Sequence, residues 1–213
     1  MGSSKRPLKW ERRPEARPQE LLDAALRVFA ARGYRNTRLE EVAAEAGVTK
    51  GALYHYFENK EELLLRAIQH YQARAFGRLE DAARGEHRSA SARLRRVMES
   101  AFSGNDDARR DVLLLLNGLA HAAPEVYREW LATGPMKAWR LIAAIIEEGK
   151  RAGEFRPDAD SEVAARVFLS GLVTQLVWQY HAGDIAGIRI RQQRLIESSI
   201  DLLLSGLRLA GSP

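Results

Sequence analysis

Residues Thr37 to Leu63 read TRLEEVAAEAGVTKGALYHYFENKEEL, and the pattern in them decides the fold. Thr37 is placed to cap a short helix through Ala46, and Gly47 breaks it. Thr49 caps a second short helix ending near Tyr56, and Asn59 caps a long one that continues toward Arg84. Ala43 sits where the second helix crosses the first, a point that only a small side chain allows. Gly47 occupies a turn position that calls for positive φ, while Val42, Val48 and Leu53 supply the apolar contacts that set the interhelical angle. This is the order of parts in a helix-turn-helix. Any two short helices crossing in a bundle need a small residue and a glycine, so the crossing alone does not name a function. The surface chemistry does. The second helix presents Thr49, Lys50, Ala52, Tyr54 and His55 outward, with Lys60 one turn further on, a basic, aromatic and hydroxyl-bearing face suited to phosphates and base edges.

Working outward, the sequence predicts a helix over 18–32, opened by Pro18 and closed at Gly33, with Leu22, Ala25, Leu26 and Phe29 as its apolar stripe. Downstream helices are expected over about 90–102, 108–122, 125–152, 160–181 and 187–208, with a kink or break at Gly134-Pro135. Loops are expected at 85–89, 103–107 and 151–158. Val, Ile and Thr never alternate in strand fashion. The expectation is an all-α chain of about nine helices: a basic arm over 1–17, a three-helix DNA-binding domain over 18–64, and a larger helical bundle for regulation and dimerisation over 65–213.

Charge agrees with that division. Residues 1–60 hold 12 Lys and Arg against 8 Asp and Glu, a net of +4, whereas the rest of the chain totals only +1. A basic end on a nearly neutral body suits a polyanionic partner, though a solvated basic tail would carry the same charge. The chain has no cysteine, which removes disulfides, thiolate catalysis and cysteine-ligated zinc. No apolar run approaches the ~18 residues of a membrane span and no secretory leader precedes the first helix, so a cytoplasmic protein is expected. Gly-x-Ser-x-Gly, His-Glu-x-x-His and phosphate-binding glycine loops are all lacking, and the histidines are dispersed. Neither an enzyme, nor a metal site, nor a cofactor is expected.

The stretch from Gly47 to Leu63, with Phe29, Gly33-Tyr34 and Thr37 before it, resembles the signature of the tetracycline-repressor (TetR) family of regulators. Gly153-Glu154-Phe155-Arg156-Pro157-Asp158 is similar, more loosely, to that family's loop before its penultimate helix. One departure is Arg38, where many members carry a second small hydroxyl residue. The resemblance implies a homodimer that represses transcription at a pseudo-palindromic operator in double-stranded DNA until a small-molecule effector binds. Carried over by position, the DNA contacts come from Thr37, Arg38, Thr49, Lys50, Gly51, Ala52, Tyr54, His55 and Lys60. Lys50 reads guanine, Gly51 lets the backbone approach, and Tyr54, His55 and Lys60 hold phosphates. The arm Lys5, Arg6, Lys9, Arg12, Arg13 and Arg17 either reaches a minor groove or only adds charge.

The resemblance also implies a dimer interface of four helices, two from each copy. Candidates are Gly171, Leu172, Gln175 and Gln179 on the first helix, and Leu195, Ile196, Ser199, Ile200, Leu202 and Leu203 on the second. For the effector, Met98, Phe102, Leu119, His121, Tyr127, Trp139, Phe168 and Trp178 are candidates to line a pocket between helices, and each is equally at home in a packed core. An effector-free, fixed repressor stands as an alternative.

Overall fold

The structure is a computed structural model that describes residues 17–86, 88–102, 106–182, 184, 185, 187 and 189–208. The expected basic arm falls outside them except for Arg17, as does most of the expected loop at 103–107. Ten helices follow one another among the described residues: α1 (Arg17–Asn36), α2 (Leu39–Glu45), α3 (Lys50–Tyr56), α4 (Lys60–Arg84), α5 (Ala90–Ala101), α6 (Asp106–Ala122), α7 (Pro124–Thr133), α8 (Pro135–Arg151), α9 (Ser161–Ala182) and α10 (Gln192–Leu207).

The helix expected over 125–152 is two, because Gly134-Pro135 is a complete break. A Cβ on Gly134 would lie 2.0 Å from Nε2 of Gln72. That side chain is buried and held at both ends: its amide donates to the Trp130 carbonyl at 2.9 Å, and its oxygen accepts from the Thr133 hydroxyl at 3.0 Å. Gly134 thus lets α4 grip the end of α7. Further along, α10 starts at Gln192 rather than 187, since Gly187 has φ 84° and Gln179 takes the Ile190 amide at 2.9 Å.

Two hydrophobic clusters carry most of the packing. The first joins Leu21, Ala25 and Phe29 of α1 to Val42, Leu53, Leu63, Leu64 and Ile68, and then to Val112, Leu115, Leu116 and Leu119 of α6. Leu21, 1% exposed, lies deeper than the expected Leu22, which is half-buried. The division expected at residue 64 falls inside both α4 and this cluster, so α6 belongs to the core of the N-terminal helices. The second cluster gathers Leu79, Leu94, Val97, Met98, Ile142, Ile145 and Phe155 with Ile200, Leu204 and Leu207. A Cβ on Gly149 would lie 2.2 Å from the buried Phe155 ring, so the loop after α8 is seated in a notch only glycine leaves open.

Candidate nucleic-acid interface and effector cavity

α1 holds α2 from one side through Arg27–Glu45 and Arg32–Glu41 ion pairs, both at 3.0 Å. Val42, Ala43 and Leu53 are buried at the α2–α3 crossing, and Gly47 turns with φ 66° so that the Val48 amide reaches the Ala43 carbonyl at 2.9 Å. The Thr49 hydroxyl accepts the Ala52 amide at 3.2 Å and starts α3. With its inner side committed to that crossing, α3 leaves Lys50, Gly51, Tyr54 and His55 exposed and Ala52 half-buried. Arg38, the N-cap of α2, is exposed, and its amide donates to the Glu41 carboxylate at 3.1 Å. Six of the nine expected DNA-contacting residues, Arg38, Thr49, Lys50, Gly51, Tyr54 and His55, are therefore exposed on α3 or at the starts of α2 and α3.

Thr37 and Lys60 do not present free groups there. Thr37 is 3% exposed, and its hydroxyl donates to the Gly33 carbonyl at 2.8 Å, so it closes the end of α1 instead of capping α2. Gly33 causes this: at φ 75° it turns the last residues of α1 and leaves its carbonyl for Thr37. Lys60 is likewise turned inward. Its ammonium group donates to the carbonyls of Tyr34, Arg35 and Thr37 at 2.8, 3.3 and 3.2 Å. Carbonyls at a helix end carry partial negative charge, and α4 delivers a cation to them.

Sequence reasoning missed two residues on this side. Glu40 pairs with the Lys50 ammonium group, which also lies 5.7 Å from the centre of the Tyr54 ring. The hydrogen bond between the pair lowers the Glu40 carboxyl below its ordinary value and raises the Lys50 ammonium above its own. Tyr56 is 43% exposed, beside His55 with the rings edge to face at 5.5 Å. Its place in the motif was plain, but α3 had to be seen ending there to know which way it faces.

The eight expected effector residues fall in different parts of the packing. Met98 is packed in the second cluster, Leu119 in the first and Phe102 in a third, with Phe168 bridging the second and third. His121 is exposed at the end of α6. Trp139 lies under the Arg166 guanidinium at 5.0 Å, with its indole N–H buried and no hydrogen-bond partner among the described residues. Tyr127 and Trp178 share a largely apolar cleft of about 220 Å³ where α6, α7 and α9 meet, lined also by Leu113, Leu116, Trp130 and Val177. Helical spacing put aromatic residues on faces without saying which faces meet.

The expected dimer residues divide in the same manner. Leu172 and Ile200 are buried in their own chain's clusters, and Gln179 is occupied with the Ile190 amide. Gln175, Leu195, Ile196, Ser199 and Leu203 are half-buried, while Gly171 is exposed. Leu202 is 74% exposed. On α9 the exposed apolar stripe is Val163, Val167 and Trp178, at 53%, 67% and 54%, with Gly171 in line between them.

No described helix is long and apolar enough to cross a membrane. Among the described residues, no three His, Asp or Glu side chains gather as a metal site would need.

The family model of bacterial regulatory proteins, tetR family, matches residues 21–67, and that of the tetracyclin repressor-like C-terminal domain matches residues 87–207. The chain is 25% identical to the HTH-type transcriptional repressor KstR2 of Rhodococcus jostii, over 90% of its own length and 91% of the relative's. It is 32% identical to the transcriptional regulator AcuR of Cereibacter sphaeroides, over 72% of this chain and 71% of that one. Among solved structures, a transcriptional regulator of Saccharomonospora viridis in complex with choline superposes with a TM-score of 0.76 at 25% identity, covering 92% of this chain and 98% of that one.

Proposed function

The chain belongs to the tetR family of bacterial regulatory proteins and is a DNA-binding transcriptional regulator; from that premise we propose that it is a cytoplasmic homodimeric repressor, released from a pseudo-palindromic operator by a small-molecule effector. The observation that carries the DNA-reading part is the outward face of α3, where Lys50, Tyr54, His55 and Tyr56 stand exposed on a helix whose Leu53 is buried against α2 in the first cluster. Lys50 is assigned to base edges, with Gly51 allowing close approach. Arg38, Thr49, Tyr54, His55 and Tyr56 are assigned to phosphates and groove walls. Thr37 and Lys60 frame the face from behind.

The apolar stripe Val163, Val167 and Trp178 on α9, with Leu202 on α10, supports a two-fold helical interface. Large side chains left this exposed along one helix face are expected to be covered by a second copy. Two α3 helices would then enter major grooves about one helical turn apart, roughly 34–36 Å, or a multiple of it. Footprinting on the DNA upstream of the gene tests this: two symmetric half-sites are expected, and a single asymmetric one overturns the dimeric reading.

For the effector, the α6–α7–α9 cleft supports a small, largely apolar ligand. At about 220 Å³ it is below the ~300–1,000 Å³ of most ligand pockets, so a larger ligand has to widen it. α6 also packs against α1 of the DNA-reading head, so a ligand that shifts α6 shifts the head. A coupling of about 1–3 kcal/mol would lower operator affinity roughly 5- to 150-fold, and linkage requires operator to weaken the ligand equally. Ligand titrations with and without operator test it. Ligands bound with the same affinity in both titrations, or none bound at all, would favour the effector-free repressor.

A further inference from the structure

α2 carries three carboxylates, and they do not all face the same way. Glu41 pairs with Arg32 of α1 at 3.0 Å and accepts the Arg38 amide at 3.1 Å, while Glu45 pairs with Arg27 of α1 at 3.0 Å. Both tie α2 to the helix behind it. Glu40 instead crosses to α3 and pairs with the Lys50 ammonium group, and each side chain of that pair is more than half exposed. An ion pair so open to water does little for the stability of the fold.

An acid at this place runs against the needs of the surface around it. A face that only grips phosphates gains from each cation and loses from each carboxylate. The hydrogen bond from Lys50, and further off the charge of Arg38, hold the Glu40 carboxyl below its ordinary value, so it stands here as a full negative charge. What that charge supplies is direction. A lysine side chain is a flexible stem ending in a point charge, and left free it settles on phosphate oxygens. Here the ammonium group is held between Glu40 and the Tyr54 ring, whose centre lies 5.7 Å away. An ammonium group donates more than once, so one N–H can stay on Glu40 while the others reach guanine O6 and N7.

We propose that Glu40 is a specificity-determining positioning residue, which keeps Lys50 on base edges and off the phosphates, so that the DNA-reading face gains discrimination at one base pair and gives up non-specific affinity. This rests on the assignment of Lys50 to base edges, and the experiment separates the failure of one from the failure of the other.

Duplexes enriched from a random-sequence pool by the unmodified full-length protein are changed at each base pair in turn, and a scrambled duplex serves as the non-specific probe. Affinities are measured for the unmodified protein, E40Q, K50A and E40Q/K50A. E40Q removes the charge at an exposed position and keeps the side chain's shape. At the base pair that K50A affects, E40Q should lower discrimination about threefold or more while raising affinity for the scrambled duplex. The slope of log affinity against log salt on the scrambled duplex should steepen by about one as Lys50 moves to a phosphate. In the K50A background, E40Q should leave discrimination and slope unchanged. If E40Q strengthens binding to all duplexes alike, or lowers discrimination equally with and without Lys50, the proposal is overturned and the reading by Lys50 stands. If K50A alters no base preference, or no sequence is enriched, the assignment of Lys50 fails and the proposal falls with it.

Discussion

Lys60 donates from its ammonium group to the Tyr34 carbonyl at 2.8 Å and lies 4.6 Å from the centre of the same residue's ring. One side chain at the start of α4 thereby satisfies the carbonyls at the end of α1 and rests on the aromatic face beside them. The relationship ties the helix that leads into the regulatory domain to the helix that backs the DNA-reading pair.

Lys60→Ala should therefore act on stability first. Hydrogen bonds from a charged donor contribute about 1.5–3 kcal/mol when buried, and this one is half-buried, so a loss of about 1–2 kcal/mol in urea unfolding is expected. The salt dependence of duplex binding should keep its slope. A slope reduced by about one with unchanged stability would instead make Lys60 a phosphate contact.

If Lys50 reads base edges as proposed, Lys50→Ala should change base preference at one position per half-site in a binding-site selection experiment. A uniform loss across all sequences would move Lys50 to the phosphate class.

Leu202→Glu should separate the proposed dimer while leaving each chain folded, since the side chain is 74% exposed in the single chain. Leu203, half-buried against the second cluster, is the poorer probe: a glutamate there disturbs the chain's own packing. Light scattering beside circular dichroism distinguishes the two, and an L202E protein that remains dimeric removes α10 from the interface.

Gly134→Ala should destabilise by about 1–3 kcal/mol, measured by thermal unfolding, as a methyl group cannot share space with the doubly held Gln72 amide. Double substitution with Gln72→Ala should recover part of that loss.

Glu154 provides a pH test. Its carboxylate accepts the amides of Ala90 and Ser91 at 2.7 and 3.0 Å and the Ser91 hydroxyl at 3.1 Å, anchoring the start of α5 to the loop after α8. Burial pushes its pKa up, but these hydrogen bonds together outweigh burial and hold it below the ordinary 4.5. A carboxyl lowered in the fold stabilises fully above its unfolded value and ceases to as the pH falls through the lowered one. Glu154→Gln should thus cost stability at pH 7, about 0.5–2 kcal/mol as for the loss of a helix cap. The difference should shrink as the pH falls below about 4.5, as followed by denaturant titrations across that range.

Much of the DNA-reading head was legible before folding because its information is local. Ala43, Gly47, Thr49 and Asn59 act on neighbours within a few residues, through crossing, positive φ and capping, and each does so in the structure. Thr37 misled because its hydroxyl bonds the Gly33 carbonyl behind it, where Gly33 turns the chain with φ 75°, and Arg38 takes the cap position of α2. Met98 and Leu119 are buried in different clusters and Trp139 lies under Arg166, since periodicity gives each helix an apolar side but not the neighbour it turns toward.

The sequence by itself determined the all-helical class, the helix-turn-helix and its outward residues, the break at Gly134-Pro135, and the family. All of these rest on interactions along the chain, spanning one or two turns of helix. Only the tertiary structure decided that Lys60 faces α1, that Glu40 holds Lys50, and that α6 belongs to the core of the head. Each of those pairs residues on different helices. Which helices pack together depends on the summed burial of whole faces, and no single stretch of the chain contains that sum.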